Sequence, residues 1–242
     1  MEPKKNAVFF TLRQQVIGID IGASYVKLLQ LHKAGESYSV KNYTTRAIPA
    51  QARDNADERK KTVAGFIREF LADARIKTCS GKLALYGKGV YVFFLSVPNL
   101  TRKDLRGAVG IELRKRLPPQ ADINSIAYDF LVNGSSQDNG ITTLQIACVA
   151  VEKALIEEQV AFMKTLNIRP VAIQVIPDIL GNLLTYCVKA SAAKSIALLD
   201  FGAGISLLNF YKGKSLVFSR EIPISSHIAP AHFSTCSKEN VS

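Results

Sequence analysis

The sequence predicts a mixed α/β fold, built from two related three-stranded meanders with a small α+β unit set between them. Three observations carry this expectation. Strand-like runs with period-two alternation cluster near the N-terminal end and again at residues 196–224. Each cluster opens with the same anomaly, an Asp-x-Gly inside branched apolar residues: Asp20-x-Gly22 in "VIGIDIGASYVKLLQL" and Asp200-x-Gly202 in "IALLDFGAGISLLNFY". Each continues into an alternating strand, a Lys/Gly turn and a third strand ending in Ile-Pro, at Ile48-Pro49 and Ile222-Pro223, the mark of a diverged internal duplication.

In chain order, residues 1–15 read as a tail whose apolar patch is too short for a secretory signal. The runs "VIGIDIG", "YVKLLQL" and "SYSVKNYTTRAI" form the first meander, turning at "HKAGES". In "ADERKKTVAGFIREFLADARI" the residues Val63, Phe66, Ile67, Phe70 and Leu71 fall on one face at helical spacing, which predicts a helix packed on the sheet. "GKLALYGKGVYVFFLSVP" reads as two strands about a Gly-Lys-Gly turn and closes a first subdomain at residues 16–97.

Residues 98–170 read as the inserted α+β unit. Thr101 is the expected N-cap of a helix that runs to Leu117 and stops at Pro118-Pro119. Strands in "SIAYDFLV" and "TTLQIACVAV" flank the loop "NGSSQDNG", and a helix from Glu152 to Leu166 turns Leu155, Ile156, Phe162, Met163 and Leu166 inward. Residues 171–224 read as the start of a second half: the strand "RPVAIQVI" leads in, a helix opened by Pro177 and Asp178 follows, and the second meander completes it. Residues 225–242 read as an irregular tail.

Composition excludes several classes. The longest apolar runs fall well short of the ~20 residues of a spanning helix, and 48% hydrophobic with 21% charged residues is ordinary for a globular domain. Four cysteines without paired spacing and three histidines argue against a disulfide framework or a metal site, and Cys148 and Cys187 read as small core hydrophobes. The net charge of +11 raises a nucleic-acid reading, but the densest basic group, Arg102, Lys103, Arg106, Arg114, Lys115 and Arg116, has no interleaved aromatics for base stacking. A solvated helix face, or one facing an anionic membrane or acidic partner, accounts for it better, and no nucleic acid is expected as a partner.

A strand that ends in Asp and turns through Gly brings backbone amides and a carboxylate to one sheet edge. Glycine lets a phosphate approach the main chain, and successive amides make an anion-binding concavity. The carboxylate suits the water shell of a phosphate-bound Mg2+. Two such hairpins facing each other would clamp a triphosphate, with strand-end carboxylates beside ordinary turns as the bland alternative.

The paired hairpins resemble the phosphate loops of the actin-like ATPase superfamily, a ribonuclease H-like fold that includes actin, sugar kinases and the division protein FtsA. Within it, "GIDIGASYVKLLQL", "VPNLTRKDLRGAVGIELRKRLPPQADINSIAYDF" with Glu112, and "ALLDFGAGISLLNFYKGKSLVFSREIPI" are similar to the PilM family of type IV pilus assembly proteins. That resemblance implies ATP and Mg2+ as cofactors. Asp20, Gly22, Ala23, Ser24 and Lys27 would form the first phosphate loop, and Asp200, Gly202, Ala203 and Gly204 the second, with Asp20 and Asp200 holding Mg2+ through water. It implies a water-orienting role for Gln174. It further implies a cytoplasmic scaffold at the inner face of the cytoplasmic membrane, whose first and inserted subdomains (16–97 and 98–170) take the N-terminal peptide of a bitopic PilN-type partner, with other platform proteins and the assembly ATPase as further partners.

Three features depart from the family pattern: Ala23 replaces a Ser or Thr hydroxyl, the helix from Thr101 is basic rather than acidic, and the family's last subdomain with its Gly-rich adenosine loop is missing after Ile224. Weakened ATP binding, and at most a weak ATPase, is the expectation. A small-molecule kinase is the alternative within the superfamily, but it lacks a candidate base; an FtsA-like filament protein lacks the expected amphipathic C-terminal helix.

Overall fold

The structure, a computed structural model, describes residues 15–35, 37–138, 140–187 and 195–225. Apart from Gln15 and Ser225, the two expected tails lie outside the described residues. The first part of the chain runs β1 (Val16–Ile21), β2 (Tyr25–Ala34), β3 (Ser37–Ala47), α1 (Ala50–Arg53), α2 (Ala56–Asp73), β4 (Cys79–Leu85) and β5 (Val90–Pro98). It continues through α3 (Arg102–Arg114), β6 (Ile126–Asp138), β7 (Ile141–Glu152), α4 (Lys153–Thr165), β8 (Ile168–Val175) and α5 (Ile176–Cys187) to β9 (Ser195–Phe201), β10 (Ser206–Lys212) and β11 (Ser215–Ile222).

The elements assemble into three sheets. The first meander pairs antiparallel, and β4 and then β8 join β1 in parallel, giving the order β3-β2-β1-β4-β8. The second meander repeats the arrangement as β11-β10-β9. Asp20 and Asp200 both fall at the penultimate position of the leading strand, so the duplication seen in the sequence is one of register as well.

The inserted sheet, β5-β7-β6, differs from the sequence expectation in two ways. β4 and β5 do not form a hairpin, because both edges of β4 are taken by parallel partners. Gly87 and Gly89, at φ +85° and +83°, let the chain turn out of the first sheet and send β5 to β7 instead. The stretch read as a loop after Val132 is also mostly strand, since β6 continues to Asp138 after a bulge. Polar cross-strand pairing holds that arm: the Ser136 and Thr143 hydroxyls lie 2.9 Å apart, and Gln145 donates to the Ser136 hydroxyl at 3.1 Å.

Two cores form where the apolar periodicity predicts. Ile17, Ile19, Val26 and Leu28 of the first sheet pack under Val63, Ile67 and Phe70 of α2 and Phe162 and Met163 of α4. Val97, Ile146, Cys148 and Ala150 of the inserted sheet pack under Leu105, Val109 and Leu113 of α3. Burial pushes the Cys148 thiol up to about 12, which leaves it the inert packing residue the sequence suggests. Thr101 caps α3 as expected, accepting from the Asp104 N–H, and Asn55 does the same for α2.

Gly65 sits in the middle of α2 with open space where a Cβ would stand. Gly65→Ala is therefore expected to raise the unfolding free energy by about 1 kcal/mol, by removing the glycine's extra unfolded-state freedom. A urea titration of the two proteins checks this.

Candidate functional site

Both Asp-x-Gly hairpins need glycine for the same reason. The Gly22 N–H donates to the Tyr25 carbonyl at 2.8 Å, and a Cβ at Gly22 would lie 3.0 Å from that oxygen. At Gly202 a Cβ would run into the carbonyl oxygen of Ile205, again three residues on. Ser24 is buried, and its carbonyl accepts from the Ile48 N–H at 2.8 Å, which ties the first hairpin to the end of its meander. The two tips meet, since a Cβ added at Gly204 would stand 3.0 Å from that of Ala23.

Two further residues hold the first hairpin, and the sequence reading missed both. Arg59 donates to the Gly22 carbonyl at 2.6 Å and to the Ala23 carbonyl at 3.0 Å, and the Tyr86 hydroxyl donates to the Ile21 carbonyl at 3.4 Å. The available signal was position: Arg59 precedes Val63 by one turn on the sheet-facing stripe of α2, a poor place for a cation without a partner.

Charge concentrates at this junction. Lys27 Nζ lies 3.0 Å from Asp20 Oδ2. Burial pushes the Asp200 carboxyl above the usual range, Lys27 opposes the shift, and Asp20 adds to it. Burial, then Asp20, likewise raises the Tyr86 phenol. Asp20, Lys27, Tyr86 and Asp200 thus share one field, as the duplication implies.

An acid whose folded pKa exceeds its unfolded one costs stability while ionised, and the cost fades as pH falls through the folded value. Asp200→Asn is accordingly expected to stabilise the protein at pH 7, with the gain disappearing toward pH 4. Melting curves at the two pH values check the sign.

The fit of a phosphate-bound cofactor can be judged from the donors. The Gly22 amide is spent on Tyr25, Lys27 is paired with Asp20, and the hairpin tips stand against each other. These residues do not fit a triphosphate between the hairpins in this arrangement. Among the described residues, no group of three or more His, Cys, Asp or Glu could hold a metal ion.

Gln174 shares a cross-strand row with Asp20, two strands away through Ala84. It sits near the end of β8, where its Nε2 donates to Asp178 Oδ2 at 2.8 Å, and both residues line a cleft of about 770 Å3. One wall is the face of the inserted sheet opposite α3, with Leu131, Ala147, Val149 and Val151; β8 and α5 form the second, and Tyr211 and Leu216 close the third. The Tyr211 hydroxyl donates to the Pro177 carbonyl at 2.7 Å and its ring lies over Gly181, which fixes α5 on the second meander. Asn133 Nδ2 donates to the Leu216 carbonyl at 2.5 Å, which ties the inserted unit to the same meander. The sequence expectation put a groove between 16–97 and 98–170; this cleft reaches the first sheet only through β8.

A meander completed by parallel strands in the order β3-β2-β1-β4-β8, repeated as a second meander that meets it through paired Asp-x-Gly hairpins, defines an actin-like ATPase fold with an inserted α+β unit. The family model for type IV pilus assembly protein PilM matches residues 18–227, and the chain belongs to that family. The chain is similar to a solved PilM–PilN type IV pilus biogenesis complex, with TM-score 0.73 and 21% identity over 89% of this chain and 63% of that one. It therefore spans less than two thirds of that relative's length. It is also similar to the cytoplasmic domain of EpsL, an inner-membrane component of the type II secretion system of Vibrio cholerae, with TM-score 0.56 and 9% identity over 87% of this chain and 71% of that one. At these identities the likeness is one of fold. Among the described residues no helix is long and apolar enough to cross a membrane.

Proposed function

We propose that the chain is a scaffold of the type IV pilus inner-membrane platform, and that it captures the N-terminal cytoplasmic peptide of a bitopic PilN-type protein in the cleft of about 770 Å3. That cleft is the observation that carries the reading: an apolar sheet face on one side, and Gln174, Asp178 and Asn182 available to a peptide backbone on the other. The fold shared with a PilM–PilN complex supports the choice of partner. The chain works in the cytoplasm and reaches the inner face of the membrane through that peptide, where other platform proteins and the assembly ATPase are further partners.

In the same reading the Asp-x-Gly hairpins descend from a nucleotide clamp and retain at most weak affinity for Mg-ATP. Asp20, Gly22, Ala23, Ser24, Lys27, Asp200, Gly202, Ala203 and Gly204 then serve to join the two halves of the molecule, and Gln174 serves the cleft. Calorimetric titration tests both parts. The partner peptide is expected to bind on the order of micromolar, while Mg-ATP gives little heat and no difference between the parent chain and Asp20→Ala. No heat from the peptide on folded protein refutes the scaffold reading, and tight Mg-ATP binding lost in Asp20→Ala refutes the second part.

A further inference from the structure

We infer that the outward face of α3 is a docking surface for an anionic lipid bilayer. The helix lies on the inserted sheet through Leu105, Val109 and Leu113, so the opposite stripe at helical spacing is Lys103, Gly107, Ile111 and Arg114. Arg102, Lys103, Arg106, Arg114, Lys115 and Arg116 are all exposed.

The disposition of these charges separates a docking face from a self-neutralised surface. Lys115 pairs with Glu112 at 2.6 Å, and Arg106 is held by Tyr128, donating to its carbonyl at 2.9 Å and stacking on its ring, with Asp129 3.9 Å away. No ion pair among the described residues engages Arg102, Lys103 or Arg114, while Arg116, like Lys115, acts on the Glu112 carboxylate. Lys103 and Arg114, at the two ends of the outward stripe, are therefore left for an external anion. Between them, Ile111 is 61% exposed and Leu100, just before the helix, is 40% exposed. Gly107 leaves the middle of the stripe low, with nothing within 4 Å of a Cβ position.

An apolar residue at the centre, cations at both ends and a flat approach suit a helix lying in a headgroup plane, where long basic side chains reach phosphates while the isoleucine enters the acyl boundary. An acidic protein would complement the charge, but it gives no account of an isoleucine that exposed at the centre of the face. The contact is independent of the partner peptide. It would orient the inserted unit toward the membrane that the peptide comes from.

The test uses the full chain and vesicles without protein. Flotation with phosphatidylcholine vesicles containing 30% phosphatidylglycerol is expected to recover the chain. Pure phosphatidylcholine, or a Lys103→Glu/Arg114→Glu double variant, is expected to lower the bound fraction at least about tenfold. Both substituted side chains are exposed, and circular dichroism verifies the fold.

The chain contains no tryptophan, so Ile111→Trp supplies a single reporter. Its emission is expected to shift to the blue with anionic vesicles and to stay unchanged with neutral ones. Equal binding to both lipids, binding retained by the double variant, or binding without the blue shift would each overturn the inference. So would failure to bind the anionic vesicles, whether or not an acidic protein is captured through this face. Partner-peptide affinity measured on the same double variant is expected to be unchanged, which keeps this result separate from the scaffold reading.

Discussion

Leu131→Glu is expected to weaken partner-peptide binding by about a hundredfold while leaving the fold intact. Leu131 lies on β6, on the face of the inserted sheet that lines the cleft, and it is 64% exposed, so the free protein can accommodate the carboxylate by solvating it. Once a peptide fills the cleft, the charge loses that water without gaining a partner, and the cost falls entirely on the complex. Calorimetry on the variant measures the affinity, and a coincident thermal melt shows that the sheet survives. An unchanged affinity would remove the cleft from the binding surface.

Gly202→Ala is expected to destabilise the protein by about 3 kcal/mol. The new methyl would be driven into the Ile205 carbonyl oxygen, a backbone atom that cannot swing aside as a side chain would, so the hairpin between β9 and β10 must open. That hairpin carries Gly204 against Ala23, so the loss also loosens the junction between the two meanders. Gly107→Ala, where a methyl meets open space, is the matched control and is expected to be neutral or mildly stabilising. Denaturant midpoints of the two variants make the comparison.

Much of this was legible in the sequence because it depends on periodicity and local chemistry. The α2 stripe of Val63, Ile67 and Phe70, the Thr101 cap, and the repeated Asp-x-Gly followed by an alternating strand each state their structure within a few residues. What escaped depended on long-range choice of partner. Val90–Pro98 alternates like any strand, and nothing local says that it leaves β4 for β7. Arg59 and Gly22 are far apart in sequence, so the guanidinium clamp on the hairpin could not be read from spacing. Gln174, singled out by the family resemblance, shares a cross-strand row with Asp20 through Ala84, but its donation to Asp178 in the cleft was not legible from spacing. The tip contact of Ala23 with Gly204 likewise depends on how two halves meet.

The account turns on one division of labour: the cleft takes a partner peptide, while the paired hairpins act as a junction. Hydrogen exchange of the full chain, followed by mass spectrometry with either the partner peptide or Mg-ATP present, reads both regions at once. The prediction is slowed exchange across Ala127–Leu131, Ala147–Val151 and Ile173–Asp178 with the peptide, and no change at residues 20–24 or 200–204 with Mg-ATP. Protection of the hairpins by Mg-ATP, with the cleft segments unaffected by the peptide, would contradict it.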